Sequence, residues 1–484
     1  MIALWTRRMA FQRAVTLPSV IALIFLVSGC TMGPKYARPA VPEPPAYRGP
    51  DDQPVTSQSN GSLGDEQWSA VFREPELQAL IRTALADNYD VRIAAERILE
   101  QQAQVKITRS QEFPQISAGG TGIGASLPNS IATETGTTGS FANPLSFGSL
   151  NLSAAWTPDF WGFYRKQTEE ARDQLLAQVW AQRAVRLSLV QQVATTYIQL
   201  RALDQQLAVA KSTLEAREDS VKLTQTLADG GAAPLSDLRQ AEELLYTATS
   251  QIPQIEQQIQ QTENQMRLLL GQSPGPVAHT DDTALTPPPE NVPTGVPSQL
   301  LERRPDIQQA EAQLKAANAQ ISVARAQFFP MLAISASAGV GGDSFSNLFD
   351  LSSRTIYGIG TLTQPIFTGG KLRGQLQLSE HQKEELVLTY QKTIQGAFRD
   401  VSNALIAAEK QRRSREEQQK LVEAAQDATR LARVRYQGGA TSYLEVLTND
   451  TSLFTAQLNL ISAQQSEALT LVQLYAALGG GWSQ

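Results

Sequence analysis

A thiol, two imidazoles and a glycine cluster are the groups in this chain that invite a chemical reading. The 484 residues include one cysteine, Cys30, and two histidines, His279 and His381. A lone thiol excludes an intrachain disulfide, so redox context has to be read elsewhere. His279 lies in a proline-rich stretch and His381 at a polar helical start. Neither has the neighbours that a metal site or a nucleophile–base pair needs. Gly119-Gly120-Thr121-Gly122 has the glycine content of a phosphate-cradling loop, but no Gly-Lys-Ser/Thr follows it and its surroundings alternate as a strand does. No enzyme activity, metal site or nucleotide site is expected.

The residues before Cys30 read as an export leader. Met1–Gly29 opens with Arg7, Arg8 and Arg13, continues with an apolar run from Ala14 to Val27 and closes on the small pair Ser28-Gly29. Leu26-Val27-Ser28-Gly29-Cys30 resembles a bacterial lipobox. The resemblance implies that residues 1–29 are a lipoprotein signal peptide and that Cys30 becomes the mature N-terminus, carrying S-diacylglycerol and N-palmitoyl chains. No other cofactor is expected. An uncleaved anchor is the alternative, but the apolar run falls short of the roughly 20 residues that a spanning helix needs. Thr31 stands where an inner-membrane retention signal would be Asp, so the same resemblance directs the protein to the outer membrane.

Composition narrows the partners. Charged residues are 18% and aromatics 7%, which suits helices packed side by side over small residues rather than around a bulky core. The net charge is −6, and it becomes more negative still once a leader with three arginines and no acid is removed. Nucleic acid is therefore not an expected partner.

The elements come in two copies. Phe113-Pro114 recurs as Phe329-Pro330, Gly230-Gly231 as Gly438-Gly439 and Leu270-Gly271 as Leu478-Gly479, at an offset of roughly 210 residues. Residues 30–72 are expected as the acylated cysteine and a Pro-rich tether, 73–275 as a first repeat, 276–297 as an irregular linker and 298–484 as a second repeat. In each repeat a helical stretch stops at the Phe-Pro pair, and two strands of period-two alternation follow, at about 115–126 and 148–158 and at about 331–341 and 353–364. A very long helix comes next, about Tyr164 to Ala228 and about Lys371 to Gln437. A Gly-Gly turn then reverses the chain into a partner helix, to about residues 270 and 478. Leu200, Leu203, Leu207, Ala210 and Leu214, like Ile394, Phe398, Val401, Leu405 and Ala408, step by threes and fours as a coiled-coil seam does.

Four strands cannot close a sheet, and open edges in lipid leave amides unpaired at several kcal/mol each. Single-chain barrels begin at about eight strands, so two copies would make a filled barrel and three would make about twelve strands with room for a lumen. Aromatics recur where strand meets helix (Trp156, Trp161, Phe328, Phe329 and Phe367 among them), as in a membrane girdle.

Leu301-Glu302-Arg303-Arg304-Pro305-Asp306-Ile307 and Ala324-Arg325-Ala326-Gln327-Phe328-Phe329-Pro330 resemble the hallmark of lipoprotein outer-membrane efflux factors of the TolC/OprM type, NodT subgroup. Gln364-Pro365-Ile366-Phe367-Thr368-Gly369-Gly370 and Arg435-Tyr436-Gln437-Gly438-Gly439-Ala440 add to it. The fold this implies is a mixed membrane α+β homotrimer, with a twelve-stranded β-barrel in the outer membrane continued by a twelve-helix periplasmic α-barrel. The implied function is passive conduction of small toxic or drug-like compounds from an inner-membrane RND pump and a periplasmic adaptor. The resemblance places adaptor docking at Gly230, Gly231, Ala232, Ala233, Gly438, Gly439, Ala440 and Thr441. It places a periplasmic gate at Leu444 and Glu445, with Asp237 and Tyr436 linking neighbouring helix pairs. Thr448 and Thr451 stand where OprM-type members carry an Asp and an Arg, with Asn449 and Asp450 nearby. A ring of three Glu445 carboxylates would favour cations and respond to pH. A type I protein-secretion duct and a pore-less periplasmic lipoprotein scaffold remain as alternatives.

Overall fold

The computed structural model describes residues 32–42, 44–55, 61–125, 145–278, 285–289, 292–343 and 347–480. The leader, Cys30, His279 and most of the loop between the first two strands lie outside them. The chain divides into two units, one holding the residues up to Pro39, Leu99–Leu176 and Glu311–Leu388, the other Ala40–Ile98, Ala177–Ala310 and Thr389–Gln484.

The second unit opens with a short antiparallel pair, β1 (Tyr47–Arg48) and β2 (Pro54–Val55), followed by helices α1 (Trp68–Val71) and α2 (Pro75–Asp87) and by the part of α3 (Tyr89–Ser110) up to Ile98. Within the second unit the segment expected as a tether therefore joins the core from Tyr47 onward. Its prolines hold it extended, while Tyr47, Leu63 and Phe72 are buried in the core and Ser62 bridges to Thr294. Helices α2 and α3 part at Asn88, whose buried carboxamide serves two helix ends. Its oxygen accepts from the amides of Asp90 and Val91 at 2.8 and 3.3 Å, and its nitrogen donates to the Leu269 carbonyl at 3.0 Å.

In the first unit, β3 (Gln115–Ala125), β4 (Leu145–Trp156), β5 (Met331–Gly342) and β6 (Arg354–Thr363) form one antiparallel sheet in the order β3-β4-β5-β6. Strand β4 begins before the expected residue 148 because pairing with β3 continues to Leu145, and it ends before Thr157, the residue preceding Pro158. Gly339 is required where β5 passes β4, since a Cβ there would lie 2.4 Å from the Leu150 carbonyl oxygen. Among the described residues, no strand pairs with the outer edge of β3 or β6.

Four helices follow the strands in matched pairs. Helices α4 (Phe163–Asp229) and α8 (Lys371–Gln437) are each 67 residues, roughly 100 Å at ~1.5 Å per residue, and α5 (Leu235–Leu269) and α9 (Tyr443–Ala477) are each 35. Helix α5 runs on through Pro253. Helices α6 (Pro297–Arg303) and α7 (Pro305–Ala326) stand in the second copy where α2 and α3 stand in the first. In the second unit the seam leucines are buried as their spacing requires: Leu203 and Ala210 of α4 pack with Ile255 of α5 and Phe454 of α9.

In the first unit the strap Met32–Pro39 lies along α7. Asn318 donates to the Pro34 carbonyl at 3.0 Å, and the buried Glu311 carboxylate takes the Tyr36 hydroxyl at 3.4 Å, Arg38 at 2.5 Å and Lys315 at 3.1 Å.

Candidate functional site

Both helix hairpins reverse through the same turn. After α4 the Ala232 amide donates to the Leu227 carbonyl at 2.8 Å and Gly231 to Ala228 at 3.0 Å; after α8 Ala440 donates to Arg435 and Gly439 to Tyr436, both at 2.9 Å. This closes the last carbonyls of each helix around one left-handed residue, Gly231 or Gly439, each with φ +70°. A Cβ built on either would meet open space. The two tips differ in chemistry. At the second, Arg435 pairs with the Glu445 carboxylate at 2.7 Å and Thr441 hydrogen-bonds its other oxygen. The first tip has Leu227, Asp237 and Ala233 at the corresponding places.

Next to the second tip, Tyr436 and Tyr443 lie ring to ring at 5.2 Å beside a small core of Ala241, Ala432, Val446 and Leu447. Leu444 points away from it and is 59% exposed. Thr448 and Thr451 return their hydroxyls to the Leu444 and Leu447 carbonyls, both at 2.9 Å, which leaves neither committed to another helix. Asp450 faces inward and accepts from Arg433 at 3.0 Å. Arg217 donates to the Leu244 carbonyl at 2.5 Å, and its guanidinium lies 5.3 Å from the centre of the Phe454 ring. Charged and polar groups of α4, α5, α8 and α9 thus meet at one level of the second unit. Burial raises the Asp450 carboxyl above its usual range in spite of both arginines, and it lowers the Arg217 guanidinium. The Tyr436 phenol is raised by burial and then by the charge of Asp237.

The arginine pair that opens the hallmark sequence is structural. Arg304 binds Asp306 at 2.7 Å and Asp400 at 3.4 Å and donates to the Ala477 carbonyl at 3.2 Å, while Arg303 pairs with Asp65. Arg304 thereby ties the α6–α7 junction to α8 and to the end of α9. Asn88 has the corresponding task at the end of α5.

A family model for outer membrane efflux proteins matches residues 80–272 and 296–480, one segment per repeat. The chain belongs to the outer membrane efflux protein family. It is similar to the probable efflux pump outer membrane protein TtgC of Pseudomonas putida, at 35% identity over 96% of each chain. It is also similar to the cation efflux system protein CusC of Escherichia coli, at 33% identity over 97% of this chain and 99% of that one. The solved open state of the MtrE outer membrane channel of Neisseria gonorrhoeae superposes with a TM-score of 0.81 at 29% identity, covering 94% of this chain and 99% of that one. The protein is thus an outer-membrane efflux channel with the mixed strand-and-helix fold of that family, and the family is one of transport components.

Of the residues expected at the gate of this efflux channel, Leu444 is free on the helix surface and Tyr436 and Asp237 are coupled. Glu445 is already held by Arg435. The sequence reading missed the buried Arg217 and the exposed Arg433 that pairs with Asp450, since nothing in a charged residue on a long helix tells whether it is buried or what it meets. The junction aromatics divide in two. Trp161 stacks on Phe329 at 4.8 Å and donates to the Pro330 carbonyl at 2.8 Å, whereas Phe367 is 91% exposed. Among the described residues there is no cluster of His, Cys, Asp and Glu able to hold a metal, and no helix is long and apolar enough to cross a membrane.

Proposed function

We propose that this chain is the passive exit duct of a tripartite efflux machine. Three copies form it, an acylated Cys30 anchors it, and a periplasmic adaptor fed by an inner-membrane RND pump engages it. The observation that carries this reading is the open sheet. Four strands with two unpaired edges cannot sit in lipid, and three copies joined β3 to β6 supply twelve strands and close every edge. The strands then span the outer membrane and the long helices lie in the periplasm. The adaptor docks on the hairpin tips, Gly230, Gly231, Ala232 and Ala233 with Gly438, Gly439, Ala440 and Thr441, where small residues allow close backbone approach. Leu444 supplies an apolar ring to the aperture. Because Arg435 neutralises each Glu445, the aperture resists cation binding until that pair opens. The cluster of buried Arg217, Asp450 and the exposed Arg433 stands in for the aperture charges that Thr448 and Thr451 lack. The cargo is small toxic compounds, drug-like molecules or cations, a reading supported by relatives named for the efflux of antibiotics, toluene and cations.

The test is to purify the full acylated chain, weigh the assembly and record single channels. A three-chain particle with discrete conductance is expected. A stable monomer, or a trimer that never conducts, would refute the duct.

A further inference from the structure

We propose that one face of the β3–β6 sheet is a hydroxyl-lined, charge-blind wall of the conduit, so that the strands themselves add no selection by charge. This rests on the duct reading above and deepens it. The strand register aligns two neighbouring rows across all four strands. Ser117, Ser153, Ser337 and Tyr357 stand opposite one another in one row, and Ala118, Leu152, Ala338 and Ile356 in the next. Successive residues of a strand point to opposite faces, so the first row lies on one surface and the second on the other. The hydroxyls of Ser117 and Ser153 are 2.8 Å apart. The apolar row continues as the lipid-facing surface that a barrel needs, which leaves the hydroxyl row facing the water path.

Among the described residues of the four strands the single charged side chain is Arg354, which stands opposite Val340 on the apolar face at the loop end of β6. From there a long side chain can reach out to the lipid headgroups. A hydroxyl offers both a donor and an acceptor, so it replaces the hydration of a passing cation, anion or neutral amphiphile about equally. A carboxylate or ammonium ring would instead raise a barrier to one sign. Amphipathic solutes of either charge therefore pass this section sorted by width alone.

The test labels single-cysteine variants of the full chain from water with thiosulfonates that carry a sulfonate or a trimethylammonium group, while channels are recorded in a salt gradient. Ser117→Cys and Ser153→Cys are expected to react, and the two reagents to move the reversal potential in opposite directions. Leu152→Cys, Ala338→Cys and the unsubstituted protein are expected not to change. Ser153→Ala combined with Ser337→Ala is expected to keep the native reversal potential. Reaction on the apolar row with none on the hydroxyl row, or a native ratio altered by the alanines, overturns the charge-blind wall and leaves the duct standing. A protein that conducts nothing overturns both.

Discussion

Arg304 holds three segments with one guanidinium, and its side chain is only 12% exposed. Removing it leaves Asp306 and Asp400 facing each other and strips the Ala477 carbonyl of a donor, so Arg304→Ala should cost about 3 kcal/mol in denaturant unfolding. Arg304→Lys should recover only part of that, because an ammonium cannot reproduce the planar fork. A loss no larger than that of an exposed arginine would show that the cluster is incidental. A second residue-scale effect concerns pH. Burial pushes the Glu170 carboxyl up to about 7, and burial with the charge of Glu169 pushes Asp173 to about 6 against Lys315 and Lys166. Both acids hold their protons more tightly in the folded chain than in the unfolded one. Their contribution to stability is therefore complete below their ordinary values and is lost as pH rises through about 6 and about 7. The thermal midpoint should fall between about pH 4 and about pH 7 and level off above, and Glu170→Gln should flatten that slope. A midpoint in Glu170→Gln that falls as steeply as in the parent would exclude Glu170 as the cause.

The hairpin is the element to which the proposed function assigns docking. Its two helices are fixed by a seam along their length, while the turn depends on one residue at φ +70°. Gly439→Val would force a β-branched residue into the left-handed region at a cost of ~1–2 kcal/mol, too little to unfold so large a core. It would also place bulk in the open space where a partner must approach. The variant should keep its assembled mass and lose capture of the adaptor, and undiminished capture would move the docking surface away from the tips. The equal lengths of α4 and α8 and of α5 and α9 were legible from turn chemistry alone, because Gly-Gly and Phe-Pro pairs punctuate both copies at the same places. Which polar residues of those helices turn inward was not, since Arg217 looks like any solvated charge until the helices are set side by side.

At the scale of the whole molecule, the two repeats depend on each other. Strand β4 of the first pairs with β5 of the second from Gly148 to Trp156, so neither copy carries more than half a sheet. In the second unit, α9 of the second copy buries Phe454 against Leu203 and Ile255 of the first. Residues 298–484 expressed alone should therefore give no heat-resistant assembly and no conductance, and supplying residues 30–297 as a second chain should restore both. A functional half would show that closure does not need the β4–β5 seam.

The sequence by itself determined the duplicated plan, the strand and helix periods and the turns, because each follows from local backbone chemistry. It could not tell that the proline-rich segment from Tyr47 onward is part of the core, that Glu445 is already paired, or that Arg304 meets Asp400 and Ala477. Those outcomes were decided by the tertiary structure. They join residues tens to hundreds of positions apart, and only the packed helices and the strand register bring such groups within hydrogen-bonding distance.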